Sequence, residues 1–395
     1  MNQKISNPSL LLLIILVAFP QISETIYTPS LPDIAQSLGA SNNMIQLTLS
    51  IYFVGFAVGV FCWGRFSDFI GRRPAMLWGI LVYGIGSFFC YLSNSVEWLL
   101  ICRFIQAFGA SAGSVITQTI LRESIEGAKR HAVFAQISAA LAFTPAIGPL
   151  LGGWIDQLLG FRAVFFTLVL MSIVILMYTW TALPETKVTA RVKIDILSIA
   201  KRLITDRRVL GFGFLIGATN GILFSYYAEA PFIFIDFFQM EPGWFGFFGI
   251  FVALSSIVGA MLSKKLILNL RPEKIIVYGS IISMIGAITL LCFAIIGIKV
   301  STIDLLIMVV CIFIILLGIG MSIPNCLSLA LVNYGDVLGT AGAIFGLGYY
   351  IIVSLITTGM SLLHNESLLR MPMYFVCLTV AMVLVSHRLV KYESR

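Results

Sequence analysis

Apolar residues in this chain come in long unbroken runs, not in alternation. Such runs lie near 8–27, 44–63, 74–93, 98–120, 132–155 and 161–183, and they resume near 209–230, 243–263, 274–297, 303–325, 338–362 and 371–390. A helix needs about 20 mostly apolar residues to cross a bilayer. The period-two pattern of a membrane barrel is absent, so the runs predict about twelve spanning helices in an all-α membrane protein. The first run follows Lys4 and is longer than the apolar core of a signal peptide. No small-x-small cleavage site follows it, so it is expected to stay as the first helix.

Composition agrees with this pattern. Of the 395 residues, 59% are hydrophobic and 11% are charged. A soluble domain has about 45–50% apolar and about 25% charged residues. The formal net charge of +7 would suit a nucleic-acid partner if it were spread over one surface, but its distribution excludes that reading. With the N-terminus inside, every lysine and arginine except Arg103, Arg162, Lys299 and Arg370 falls on the inner side. That bias predicts cytoplasmic termini. The seven cysteines, Cys62, Cys90, Cys102, Cys292, Cys311, Cys326 and Cys377, fall in or beside apolar runs and form no CxxC pair. They read as small packing residues. The three histidines, His131, His364 and His387, have no metal-ligand spacing, and these 395 residues contain no nucleotide-binding loop. The expectation is neither an enzyme nor an ATP-driven pump, with no cofactor beyond a proton gradient.

The longest polar stretch runs from Pro184 to Arg208. It divides the chain into an N-terminal bundle (1–183), a cytoplasmic linker (184–208) and a C-terminal bundle (209–395). Within it, Ile194–Leu203 has the pattern of a short amphipathic helix lying on the membrane surface. The halves are weakly repeated. Each has an acid before a proline in its first helix (Glu24 and Pro29, Glu229 and Pro231). Each has an Arg-Pro pair after its second (Arg73-Pro74, Arg271-Pro272). Transporters are commonly built from such repeats, with the substrate between them.

Charges inside apolar helices are the next signal, because one at mid-membrane costs about 2.5–3.5 kcal/mol on insertion scales. Glu24, Arg103 and Glu229 stand out as candidates for proton coupling. Glu24 and Arg103 fall at similar depth on neighbouring helices, so an interaction between them is geometrically allowed. A carboxyl beside a cation can gain or lose a proton as the cation recedes or approaches. Tyr52, Gln118, Phe143, Asn220, Tyr226, Tyr227, Asn325, Tyr349 and Tyr350 are polar or aromatic positions in otherwise apolar helices. Rings with a few amides suit an amphipathic ligand.

The most specific motif is Gly64-Arg65-Phe66-Ser67-Asp68-Phe69-Ile70-Gly71-Arg72-Arg73-Pro74, a G-x-x-x-D-x-x-G-R-R loop between the second and third helices. Arg103-Phe104-Ile105-Gln106-Ala107-Phe108-Gly109-Ala110 follows R-x-x-Q-G-x-G-A, with Ala107 where the pattern has glycine. Gly148-Pro149-Leu150-Leu151-Gly152-Gly153 follows G-P-x-x-G-G. On these residues the chain resembles the twelve-helix drug/proton antiporters of the major facilitator superfamily. Tyr27-Thr28-Pro29-Ser30-Leu31-Pro32-Asp33, Pro324-Asn325 and Gly339-Thr340-Ala341-Gly342-Ala343 bring it nearest to the bicyclomycin/chloramphenicol-resistance branch.

The resemblance implies two six-helix bundles and proton-coupled export from the cytoplasm of a bacterium across its inner membrane. The partners implied are a small molecule, protons and lipid, and a monomer is expected. A dedicated carrier of one natural compound, such as a siderophore, sugar or amino-acid derivative, is the other reading. The resemblance further implies that Asp68 latches the cytoplasmic side, with Arg72 and Arg122 as partners, and that Gly64, Gly71 and Arg73 shape the loop. It implies that Gly148, Pro149, Gly152 and Gly153 let the fifth and eighth helices approach. Many members of the branch carry aspartate where this chain has Thr25, and here the acid stands one residue earlier. That shift turns a helical side chain by about 100°.

Overall fold

A computed structural model describes residues 8–124, 133, 136–186, 196–365 and 367–393. It is all-helical among the described residues and contains twelve helices long and apolar enough to cross a membrane. They are α1 (Leu10–Leu38), α2 (Asn42–Ile70), α3 (Arg72–Tyr91), α4 (Val96–Leu121), α5 (Gln136–Leu159) and α6 (Phe161–Ala182). After the linker come α7 (Arg207–Phe237), α8 (Pro242–Leu266), α9 (Pro272–Ile296), α10 (Thr302–Ala330), α11 (Gly339–Leu363) and α12 (Arg370–Lys391).

The chain starts these helices with side chains that satisfy the first free amides. Ser9, Ser41, Asp206 and Ser301 accept from the backbone N–H of Leu12, Met44, Arg208 and Asp304. Each cap of this kind stabilises a helix start by about 1 kcal/mol. Gly71 turns α2 into α3 with a φ of 106°, a backbone region that side chains with a Cβ avoid. Where helices cross, small residues bring backbones together. A Cβ on Gly86 would lie 2.5 Å from the Gln106 nitrogen, and one on Gly320 would lie 2.8 Å from the Ser256 carbonyl. Lipid removes the hydrophobic drive between helices, so such close packing is what holds them.

α1 and α7 are among the helices that run further than hydropathy predicts. α1 passes through a 3-10 turn at Thr28–Ser30 and continues to Leu38. α7 passes Pro231 into a π-turn at Phe232–Phe237. Both extensions lie on the face opposite the termini, called the far face below. The α1 extension is polar enough to drop out of an apolar window, whereas the α7 extension is apolar but follows Pro231, and both still make helical hydrogen bonds.

The linker contains a helix, Ile196–Thr205, offset by two residues from the predicted 194–203. Its apolar residues divide, with Leu197 and Ile204 exposed. Ile199 and Leu203 are buried against Tyr334 and Ala341 at the start of α11. The Arg202 guanidinium stands 4.4 Å from the Tyr334 ring centre and donates to the Asn333 carbonyl at 2.8 Å. The Tyr334 hydroxyl donates to Asp206 at 3.1 Å. Burial first, and that carboxylate second, push the phenol pKa up. Lys187, Arg191 and Lys193 lie outside the described residues.

Between the first six spans and the last six, the most extensive packing is α2 on α11 and α5 on α8. Hydrogen bonds across this divide gather toward the far face. Asn43 donates to the Ser361 carbonyl at 2.7 Å, Gln157 donates to Glu241 at 2.8 Å, and Gly243 N–H donates to Gln157 at 3.0 Å. Toward the termini the packing is looser, and a Cβ on Gly64 of α2 would lie 3.9 Å from the Ala343 side chain of α11. A Cβ added to Gly339 or Gly342 would meet nothing within 4 Å. Hydrogen bonds between the two groups of six are therefore concentrated toward the far face.

Candidate transport site

Aromatic side chains at helical spacing on α2, α7 and α11 meet midway through the fold. Phe53 and Phe224 approach with ring centres 4.4 Å apart, and Phe56 and Tyr350 at 4.8 Å. Tyr52, Phe56, Tyr349 and Tyr350 continue the wall on one side. Phe224, Tyr226 and Tyr227 continue it on the other. Each such pair contributes about 0.5–1.5 kcal/mol beyond simple burial. The Tyr227 hydroxyl donates to the Pro145 carbonyl of α5 at 3.2 Å, so the wall touches that helix too.

Of the residues named from sequence, the wall gathers Tyr52, Tyr226, Tyr227, Tyr349 and Tyr350. Asn220 is half-buried and returns its amide to the Ile216 carbonyl of its own helix. Asn325 is spent on packing within the second half, donating to Ser263 of α8 at 2.7 Å and to Met321. Gln118 and Phe143 are exposed and stand outside the ring contacts. Phe53, Phe56 and Phe224 were passed over in the sequence because phenylalanine is unremarkable in an apolar helix. Their signal is spacing: Tyr52, Phe53 and Phe56 on α2, and Phe224 and Tyr227 on α7, repeat at three or four residues.

Beside the wall lie two buried charges. Arg103 is fully buried, with its guanidinium carbon 3.9 Å from the Tyr27 ring centre and 4.3 Å from that of Tyr52. Its Nη1 donates to Gln106 at 2.5 Å, and Gln106 donates to Ser87 at 2.8 Å. Two rings and one amide thus support a charge that cannot be removed. Its Nε and Nη2 have no hydrogen-bond partner among the described residues. Glu24 is 6% exposed. Among the described residues no ion pair joins it to Arg103, although the two interact electrostatically. Thr25 takes the neighbouring face of α1, where Gly148 packs on its hydroxyl. An acid at position 25 would point into α5, whereas position 24 faces the cation and the tyrosines.

The motif of α5 serves two partners instead of one. A Cβ on Gly148 would strike Thr25, and one on Gly152 would strike the Ile26 carbonyl, so these two glycines admit α1. Only Gly153 faces α8, against the Pro242 carbonyl. The remaining close approach comes from α8 itself, where Cβ atoms on Gly246 and Gly249 would lie 2.6 Å from the Pro149 carbonyl oxygen and 2.7 Å from that of Pro145.

The loop between α2 and α3 centres on Arg72. Its Nη1 donates to Asp68 at 2.6 Å and Ser67 at 2.7 Å, while Nε and Nη2 grip the Glu123 carboxylate at 3.0 and 2.6 Å. The backbone N–H groups of Arg72 and Arg73 donate to Glu185 at 2.9 and 3.2 Å. Gly71 leaves room for that carboxylate, and Gly64 faces Ala343 of α11. The Arg73 guanidinium reaches the Trp180 carbonyl at 2.7 Å. Asp68 is 57% exposed, with Arg72 as its ion-pair partner among the described residues. The Arg122 side chain lies outside the described residues. Glu123 and Glu185 were not singled out in the sequence, because nothing local shows that two chain segments far away converge on one arginine.

Glu229 stands apart from Glu24. It is 3% exposed and lies toward the far face, bonded to Gln46 of α2 at 2.7 Å and to His364 after α11 at 2.8 Å. The sequence gives no hint of this histidine's partner, since the two residues lie on different helices.

Twelve helices, a shared wall of rings between two groups of six and charges buried beside it define a membrane carrier. The family model of the Major Facilitator Superfamily matches residues 13–358. The chain belongs to that superfamily. A Rickettsia bellii protein described as an uncharacterized transporter is 34% identical over 94% of this chain and 93% of its own length. A chloramphenicol resistance protein of Pseudomonas aeruginosa is 28% identical over 91% of this chain and 84% of its own. Among solved structures, a D-xylose-proton symporter superposes with a TM-score of 0.76 at 14% identity, covering 94% of this chain and 96% of that one.

Proposed function

We propose that the protein is a proton-coupled exporter of drugs or other small amphipathic molecules, working by alternating access between bundles 1–183 and 209–395. Both termini are cytoplasmic in this reading, which the lysine and arginine bias supports. The observation that carries it is the aromatic wall shared by α2, α7 and α11, lying next to Glu24 and to the unpartnered N–H groups of Arg103. Similarity to the chloramphenicol resistance protein supports drugs as the cargo class.

In this reading the wall is reached from the side of the termini once the two bundles part there. A flat apolar ligand stacks on Phe53, Phe56 and Tyr350 there, while Glu24 releases its proton. The carboxylate is then drawn to the free donors of Arg103. That movement pulls α1 toward α4, and it reverses when a proton arrives from the far side. The proton moves down its gradient as the ligand moves out.

The test is expression in a bacterium lacking its own efflux pumps, followed by a susceptibility screen and proton-driven accumulation in inverted vesicles. Resistance to several unrelated amphipathic drugs, abolished by an uncoupler, is the expected result. Cells with no altered susceptibility and vesicles with no gradient-driven accumulation would overturn the reading in favour of a dedicated carrier.

A further inference from the structure

A cavity of about 580 Å³ lies on the far face, between the two groups of helices and apart from the aromatic wall. Pro29, Pro32 and Asp33 of α1 and Asp156 of α5 line it from the first six spans, and Asp236 of α7 and Pro242 of α8 line it from the last six. Asp236 is exposed, so the cavity opens to the far side. The 3-10 turn at Thr28–Ser30 and the helix start at Leu31 set two prolines on its wall. A proline ring has no N–H to leave unmet there.

Three of the lining side chains are carboxyls, and none is basic. Asp33 is fixed in place, because the Ser37 hydroxyl donates to its Oδ1 at 3.1 Å and the Phe161 N–H to its Oδ2 at 3.2 Å. Asp156 is 6% exposed, yet its Oδ1 has no hydrogen-bond partner among the described residues. Ser30 and Asp33 lie beside it, and the Ser30 hydroxyl is unpartnered as well. Asp236 feels His364 electrostatically. Among the described residues, none of the three carboxyls forms an ion pair.

A buried acceptor left unmet is costly. An ammonium group supplies what is missing, with three donors and a full charge on one atom. A bare metal ion fits less well, since no group of three His, Cys, Asp or Glu side chains among the described residues could hold one. The proline rings suit the methylenes of an alkyl chain, as apolar surface covers the stem of a lysine. Asp236 stands on the other group of helices, where it can meet a second ammonium.

We propose that this cavity binds aliphatic diamines arriving from the far side, with one ammonium on Asp156 and Asp33 and the other on Asp236. The site goes beyond the export reading and does not depend on it. A ligand seated there touches both groups of helices and resists any movement that parts them at that face.

The test is calorimetric titration of the full-length protein in detergent, against matching empty micelles, at about pH 8, where an alkylammonium keeps its proton. The probes are cadaverine (a five-carbon diamine), pentylamine and pentanediol. Cadaverine should bind once per chain. Pentylamine, which leaves Asp236 unused, should bind about ten-fold or more weakly, and pentanediol not at all. Asp156→Asn keeps the shape and removes the charge, and should weaken cadaverine about ten-fold or more. Asp236→Asn should lower cadaverine to the affinity of pentylamine and leave pentylamine unchanged.

Size-exclusion checks that each variant is folded. The exposed Asp236→Asn carries the test if Asp156→Asn is not. No binding of cadaverine by the parent would mean that Asp156 simply keeps a proton and the cavity holds no amine. A folded variant that binds cadaverine like the parent, or displacement of cadaverine by magnesium at constant ionic strength, also overturns the assignment. Cadaverine binding in a protein that confers no drug resistance upholds the site and removes the export reading.

Discussion

Arg72→Lys is the sharpest probe of the loop between α2 and α3. The change keeps the positive charge and most of the length, so it isolates geometry. Arg72 makes four side-chain hydrogen bonds: two to Glu123, one to Asp68 and one to Ser67. A lysine ammonium has three donors on one atom and cannot grip Glu123 through two parallel bonds while also reaching Asp68 and Ser67. At least one bond to a carboxylate is lost, and such bonds contribute about 1.5–3 kcal/mol each. Asp68 is largely exposed, and its share is small. Glu123, 22% exposed, carries most of the effect.

The expected loss is therefore about 2–3 kcal/mol, and thermal unfolding in detergent should begin several degrees lower. Combining Arg72→Lys with Glu123→Gln tests the assignment. Because both changes break the same paired contact, their effects should fall short of additivity by about 1 kcal/mol or more. Additive effects, or an Arg72→Lys protein as stable as the parent, would refute the reasoning.

Asp68→Asn removes charge without volume, and transport should be lost in protein that inserts and purifies normally. Full activity would dismiss Asp68 as a gate element. Glu24→Gln should still bind ligand, with affinity that no longer changes with pH and no gradient-driven uptake into inverted vesicles. Proton release on ligand addition, measured in detergent, should vanish in Glu24→Gln and persist in Glu229→Gln. Gly153→Val places a side chain against the Pro242 carbonyl and should weaken the α5–α8 contact by about 1–3 kcal/mol, read as earlier thermal unfolding in detergent. Reporter fusions after Arg208 and Arg395 should read cytoplasmic, and one near Glu241 external.

The twelve spans were legible because crossing a bilayer imposes a run of apolar residues that no local context can disguise. The loop motif was legible for a related reason, since a tight turn and a fixed set of charges need particular residues at fixed offsets. What was hidden is whatever depends on two helices meeting. Nothing local to Glu229 or His364 tells that they touch, and nothing near Arg72 tells that Glu123 and Glu185 will arrive. The aromatic wall lay between these cases. Tyrosines drew notice for their hydroxyls, whereas Phe53, Phe56 and Phe224 matter only as rings facing one another across the divide. Asn325 shows the converse, because an amide in an apolar helix can serve a helix crossing as well as a ligand, and here it donates to Ser263.

The two ends of the linker are tied down more firmly than its sequence suggests. Glu185 is clamped by the amides of Arg72 and Arg73, and the helix Ile196–Thr205 is seated on Tyr334 beside α11. The covalent tether between the two groups of helices is therefore not the whole 184–208 stretch but the span from Thr186 to Ile196. Ten peptide steps at about 3.6 Å give a contour of about 36 Å. That length is a leash. However wide the side of the termini swings open, those two anchor points cannot part by more than this unless Glu185 first lets go of the α2–α3 turn. Any opening stroke that tautens the leash pulls directly on the loop that carries Asp68.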